Sequence, residues 1–289
     1  MITALFSVIH PNALPYFNKY LRSLVNQTDK DFRLFLVNDG VANIENIIHR
    51  FDLDISLKAI SGTFSNIRKE GIEWVILQGA DIIIFMDSDD YFSDNRIEIS
   101  KRILSSKEIV FNELMIIGEN NQQPHPFFGH RFKEGADFSK DDIIHSNCMG
   151  LSNTAMNTKF ITRSLSQIPD DIGAFDWAFY SLCLREGTKA VFTEQTVTYY
   201  RQYDNSFAML NSFTEDQILR GVKVKVYQYR YMSRLFNEYE SISKEFDKLF
   251  ERLKKDSFLR NKYCYEVKKQ SPPSPLWWES IKTLEELGI

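Results

Sequence analysis

The chain has 289 residues, a formal net charge of −4, 43% hydrophobic residues and 26% charged ones. That length admits one sizeable domain with an appendage, or two small domains. The acidic balance argues against nucleic acid as the main partner, and no apolar run approaches the roughly 20 residues that span a bilayer.

In chain order, residues 5–9 form a short apolar run, followed by Leu14, Phe17, Leu21, Leu24 and Val25 at helical spacing. Residues 32–37 read as a second strand, and Ile44, Ile47, Ile48 and Phe51 as an amphipathic stretch. A weaker strand at 55–60 precedes a helix through Ile67, Ile72, Trp74, Val75 and Leu77. Residues 82–86 are the strongest buried strand in the sequence. Strands alternating with helices through short connections predict a mostly parallel sheet covered on both faces. In such sheets ligands bind at the carboxyl ends of the strands. Asn38-Asp39-Gly40 and Asp87-Ser88-Asp89-Asp90 each follow a strand, so both polar clusters should face one cleft.

From 120 to 142 the pattern breaks into polar sequence with Pro124, Pro126, Gly129 and Gly135, read as loops and short strands shaping an acceptor pocket. A helix is expected at 175–185 and a strand at 190–200. After Asn211 the sequence turns helical and charged, with Ile218, Val222, Val226, Tyr229 and Leu235 as an apolar face. Pro272, Pro273 and Pro275 then precede a last short helix with Trp277 and Trp278. From Glu215 onward fifteen Lys/Arg stand against twelve Asp/Glu (+3), which leaves twenty against twenty-seven (−7) before it.

Asp87, Asp89 and Asp90 crowd carboxylates just past a buried strand, and a hard divalent cation is the usual remedy for such repulsion. The plain alternative is a solvated acidic turn capping the helix that begins near Asp94. Asn38-Asp39-Gly40 is ordinary turn chemistry as well as a candidate base-binding site. His125 and His130 flank Phe127-Phe128-Gly129; packed or exposed loop imidazoles are the plainer reading than a metal pair. Ser7 and Ser88 have no evident histidine partner. Neither G-x-x-x-x-G-K-[ST] nor G-x-G-x-x-G occurs.

Together the residues resemble the family 2 glycosyltransferases, whose catalytic domain has the GT-A fold. The likeness runs through Ser7-Val8-Ile9-His10-Pro11 with the segment from Tyr20 to Gln27-Thr28, Leu36-Val37-Asn38-Asp39-Gly40, Ile67-Arg68-Lys69-Glu70-Gly71-Ile72, and Phe85-Met86-Asp87-Ser88-Asp89-Asp90. Downstream, Phe175-Asp176-Trp177 is similar to the family's Glu-Asp-Trp, and the run from Tyr200-Arg201 to Ser206 to its Tyr-Arg-x-His-x-x-Ser. Asn38, Lys69, Phe175 and Tyr203 depart from the family pattern.

The resemblance implies a Rossmann-like, mostly parallel sheet flanked by helices over residues 1–207, split at about 110 into a nucleotide-sugar half and an acceptor half. Residues 208–289 would be a helical extension. It implies an inverting, metal-dependent transfer from a nucleotide sugar, with UDP the expected donor nucleotide, to a glycan or lipid-linked glycan of the cell surface. Pro11, Asp39, Arg68, Asp87, Ser88 and Asp89 would line the donor; Asp89, with Asp87, would hold Mn2+ or Mg2+. Asp176 would be the general base, a role that an aspartate's ordinary pKa suits. Two other readings stay open: a non-catalytic sugar-nucleotide or glycan-binding protein on the same scaffold, and a nucleotidyltransferase, although the first loop lacks that class's Gly-rich basic pattern.

Cys148, Cys183 and Cys264 are too widely spaced for a zinc site or disulfide framework, and the N-terminus lacks a basic n-region with a long apolar core. A cytoplasmic protein is therefore expected. For the tail, a packed helical hairpin or homodimer contact competes with docking on the inner membrane face through Lys223, Lys225, Arg230, Arg234, Trp277 and Trp278.

Overall fold

The computed structural model describes residues 2–117, 124–129, 131–161, 165–202, 214–270 and 277–289. The chain forms two compact units, the first from Met1–Asp171 with Phe179–Tyr203, the second from Ile172–Ala178 with Asp204–Ile289. The expected boundary at 207/208 lies outside the described residues, as do His130, the residues from Tyr203 to Ser206 and the three prolines at 272, 273 and 275.

Among the described residues the first unit holds one sheet of ten strands. Strand β1 (Thr3–Ile9) is buried along its whole length and pairs in parallel with β2 (Arg33–Asn38) and β4 (Ile82–Phe85). Strand β3 (Ile55–Ala59) adds to β2, also in parallel. Short edge or rim strands are β5 (Tyr91–Phe92), β7 (His125–Pro126) and β8 (Asp137–Phe138). The spatial order is β3-β2-β1-β4-β9-β6-β10-β5, where β6 is Ile109–Ile117, β9 is Thr154–Asn157 and β10 is Ala190–Arg201. β6 and β10 run parallel to each other, and β9 lies antiparallel between β4 and β6. The sheet is mostly parallel, with β9 as the reversed member at its centre.

Helix α1 (Leu14–Val25) buries Phe17, Tyr20, Leu21 and Leu24 against Leu5, Ile9, Leu34, Leu36, Ile82 and Ile84. The amphipathic stretch after β2 contracts to one helical turn, α2 (Glu45–Ile48). Asn43, in the left-handed region at φ 55°, interrupts it on the N-terminal side. At the end of α1 the buried Gln27 spends its whole amide on backbone. Its Nε2 donates to Ser23 O and Ser93 O, both at 2.9 Å, and its Oε1 accepts from Ile97 N at 3.0 Å. This ties α1 to the start of α4 (Arg96–Leu104). The Gln-Thr of the family-like segment is thus a structural clamp.

Helix α3 (Phe64–Leu77) is started by Thr63, whose Oγ1 accepts from Asn66 N. It approaches the sheet so closely at Gly71 that a Cβ there would lie 2.6 Å from Cε2 of Phe6. Gly71→Val is therefore expected to overpack the α3–β1 contact and to cost about 3 kcal/mol, seen as a lower urea midpoint. An unchanged midpoint would mean that the contact is looser than the structure has it.

The second unit contains the first turn of α5 (Phe175–Arg185) and helices α6 (Glu215–Leu235), α7 (Glu240–Lys255) and α8 (Ser257–Gln270). Tyr229 of α6 packs against Trp177 and Phe246. Of the basic residues of α6, Lys223, Arg230 and Arg234 share one face at seven- and four-residue spacings, and Lys225 does not. Lys225 is buried and donates from Nζ to Ile281 O at 2.6 Å, while Arg230 pairs with Asp247 at 2.7 Å. Trp278 is half-buried, and the Trp277 side chain lies outside the described residues.

Burial pulls the Lys225 pKa from 10.5 down to about 7, against the opposing charges of Glu286 and Glu279 and with that of Lys282. The unfolded chain keeps this proton up to pH 10.5, whereas the folded chain sheds it near 7. Stability should therefore rise with pH across that window, by roughly 1–3 kcal/mol. Denaturation at pH 7 and pH 9.5 should show the gain in the native chain and lose it in Lys225→Met; an equal gain in both would contradict it. Among the described residues, no helix is long and apolar enough to cross a membrane, and the three cysteines are free thiols.

Candidate active site

Strands β1 and β2 end in register, Ile9 opposite Asn38, and β4 is aligned so that Phe85 meets Phe6. Pro11, Asp39 and the acidic turn after β4 consequently share the carboxyl edge of the sheet. At β2 the amide of Asn38 closes its own turn, donating to Val41 O at 2.9 Å and accepting from Val41 N at 2.8 Å. A carboxylate could make only the second of these bonds, which gives a reason for asparagine where the family commonly has aspartate. Gly40 takes φ +81°, and the Asp39 N–H donates to Ile9 O at 2.8 Å, so Asp39 is fixed beside Pro11. Pro11 is exposed and opens the one-turn helix that follows β1.

The acidic turn alternates. Ser88 and Asp90 are buried, whereas Asp87 and Asp89 are partly exposed. The Ser88 hydroxyl donates to Val8 O at 2.7 Å, so the serine expected along the donor fastens this turn to β1. Ser7 Oγ donates to Met86 O and shares a hydrogen bond with Tyr20. Asp90 accepts from Ser152 Oγ and from Arg201 N, the latter at 2.8 Å. Arg201 also donates from Nε to Asp89 O at 2.9 Å, with its guanidinium 4.3 Å from the Tyr16 ring centre. Arg201 belongs to the Tyr-Arg pattern, but sequence reasoning gave it no part in this turn; its contacts are long-range and leave no local signal.

Burial, then the negative charges of Asp89 and Asp87, push the Asp90 carboxyl well above the usual carboxylate range. Asp87 and Asp89 thus stand in a crowded anionic field. Such a donor set fits a hard cation that takes one or two carboxylates and completes its shell with water and phosphate oxygens. Among the described residues no group of three or more His, Cys, Asp or Glu converges to hold a metal.

Arg68 lies in the second turn of α3, nearly buried, donating from Nη1 to Phe64 O at 3.2 Å with its guanidinium carbon 3.2 Å from the centre of the Phe64 ring. Asp176 occupies the first turn of α5, where its Oδ1 accepts from Trp177 N at 2.8 Å. It belongs to the second unit. The six donor-side candidates all lie in the first unit, with Pro11, Asp39, Asp87, Ser88 and Asp89 on the strand ends and Arg68 on α3.

A mostly parallel sheet flanked by helices, with an acidic turn closing its fourth strand, is the architecture of a GT-A glycosyltransferase. The sequence profile described as Glycosyl transferase family 2 matches residues 8–157, just over half the chain. The chain belongs to that family of glycosyltransferases. Solved structures share the fold. The 1–349 fragment of S. aureus TarS, in complex with UDP, aligns with a TM-score of 0.58 at 15% identity, covering 81% of this chain and 66% of that one. GalNAc-T7 with UDP, GalNAc and Mn2+ gives 0.57 at 13% identity, covering 94% and 58%. The mannosyltransferase PcManGT from Pyrobaculum calidifontis, with GDP-Man and Mn2+, gives 0.55 at 13%, covering 80% and 64%. The chain thus spans between 58% and 66% of these three solved chains, and 44% of the longer TarS chain. No curated protein matches the sequence.

Proposed function

We propose that the protein transfers a sugar, with inversion, from a uridine diphosphate donor to a glycan or lipid-linked glycan acceptor in cell-surface polysaccharide assembly. The observation that carries this reading is the alternation of the acidic turn at the sheet edge that Asp39 shares: Ser88 and Asp90 buried and hydrogen-bonded, Asp87 and Asp89 left partly exposed. On this reading Asp39 accepts hydrogen bonds from the uracil, with Pro11 beside it, and Arg68 contributes a cation toward the nucleotide. Asp87 and Asp89 would hold Mn2+ or Mg2+, which when bound neutralises charge on a departing diphosphate. Arg201 keeps Asp89 in place through its backbone. Asp176 would take the proton from the acceptor hydroxyl as that oxygen attacks the anomeric carbon in line, opposite the leaving group.

A panel of UDP- and GDP-sugars, each with and without Mn2+, tests this. Metal-dependent release of UDP, in preference to GDP, is expected. Tight nucleotide-sugar binding without turnover on any candidate acceptor would favour the binding-module reading instead.

With Lys225 buried inside the second unit, the membrane docking weighed for the tail keeps Lys223 and Arg234 exposed on α6, and we extend it to α8. Phe258 and Tyr265 are exposed there beside Lys262 and Lys269. Flotation of the full chain with anionic liposomes should fall in Phe258→Ala/Tyr265→Ala; equal flotation would remove the membrane role from this helix.

A further inference from the structure

A groove of about 850 Å3 runs along α1 beside β5 and β10, and the donor-site reading gives it no part. One wall is the outer strip of α1: Pro15, Asn18, Lys19, Arg22, Ser23 and Asn26, at the three- and four-residue spacings of one helical face. Tyr91 and Tyr199, stacked with ring centres 4.4 Å apart, form part of the opposite side. Lys19 Nζ sits 3.7 Å from the centre of the Tyr91 ring. The lining carries two cations against one exposed carboxylate, Asp94, and neither Lys19 nor Arg22 is ion-paired among the described residues. Burial and the charge of nearby Arg201 lower the Lys19 pKa, so positive charge is crowded at this end. Crowded cations without carboxylate partners are complemented by an anionic ligand. The remaining lining of amides, hydroxyls and aromatic edges suits a polyhydroxylated ligand, and the volume exceeds by far what a lone ion and its waters fill.

The groove also has a direction. Tyr91 directly follows Asp90, and Arg201, which anchors Asp89, lies over Tyr16 of the same helix. One end of the groove therefore adjoins the acidic turn. We infer that this groove is an acceptor subsite that holds an anionic stretch of oligosaccharide, phosphate- or carboxylate-bearing, through Lys19 and Arg22. The word acceptor rests on the transferase reading; the binding of an anionic saccharide does not.

The test uses the full chain and three length-matched probes: maltotetraose, phosphorylated maltotetraose and tetragalacturonate, with inorganic phosphate as a fourth. Titration calorimetry should show at least one charged tetrasaccharide binding tenfold or more tightly than maltotetraose and than inorganic phosphate. Which charged probe wins distinguishes phosphate from carboxylate. Lys19→Gln/Arg22→Gln, at exposed positions, should weaken that binding at least tenfold while UDP release from the donor into water stays within twofold. Equal binding of charged and neutral probes, phosphate alone binding as tightly, or undiminished binding in the double variant would each overturn the subsite. Groove-dependent binding in a chain that turns over no nucleotide sugar would support the groove and sink the transferase reading.

Discussion

Asp89→Ala is expected to lower metal-dependent UDP release by about 10²–10³-fold, the loss of several kcal/mol of charge stabilisation on the leaving diphosphate. Asp89 is one of the turn's two partly exposed carboxylates, and its backbone is already fixed by Arg201. Removing its side chain should therefore leave the turn in place. Its thermal midpoint should stay near that of the native chain, and added Mn2+ should no longer stimulate release. Asp90→Ala separates the two kinds of aspartate. That carboxylate is buried and accepts from Ser152 and Arg201, so its loss strands two donors and should cost roughly 2–4 kcal/mol of stability. If Asp89→Ala retained Mn2+-stimulated turnover, the metal would have to be assigned elsewhere.

Asp176→Asn should reduce transfer to an acceptor hydroxyl by about 10²–10⁴-fold while nucleotide binding is unchanged. Asparagine keeps the oxygen that accepts from Trp177 N, so the first turn of α5 should persist. The acidic limb of the rate-against-pH profile should vanish with the base. A variant that keeps both the rate and that limb would reduce Asp176 to a residue of the helix start, favourable there through the helix dipole alone.

The donor half of the fold was legible because its strands are apolar on both faces and its turns carry the polar residues. β1, β2 and β4 fall on the expected runs, and the expected donor residues other than Arg68 follow them. The centre of the sheet was not legible. β9 is four residues, Thr-Ala-Met-Asn, too short for any period, and it joins the sheet by antiparallel pairing with strands far away in sequence. β6 holds Asn112 and Glu113 in its middle, which breaks an apolar pattern. Both are buried nonetheless: Glu113 accepts from Leu114 N and Phe128 N, and Asn112 donates to Glu113 O and Thr198 Oγ1. Such polar pairings depend on segments that meet only after folding. The same holds for Lys225, whose place in a charged helical pattern reads as surface, although the chain near Ile281 covers it.

The fastening of Asp90 bears on how the acceptor side can be exchanged between relatives. One carboxylate grips both the loop from Ser152 and the end of β10, so the acidic turn and the strand carrying Tyr200-Arg201 form a single inheritable block. A chimaera that grafts foreign sequence over residues 111–202 onto this donor half would have to import a hydroxyl opposite Asp90 and, for the bond to Asp89 O, an arginine at position 201. Grafts lacking them would leave the backbone of Asp89 unanchored even though every donor residue is native, and on the metal-holding role proposed for Asp89 they would lose metal response before nucleotide affinity.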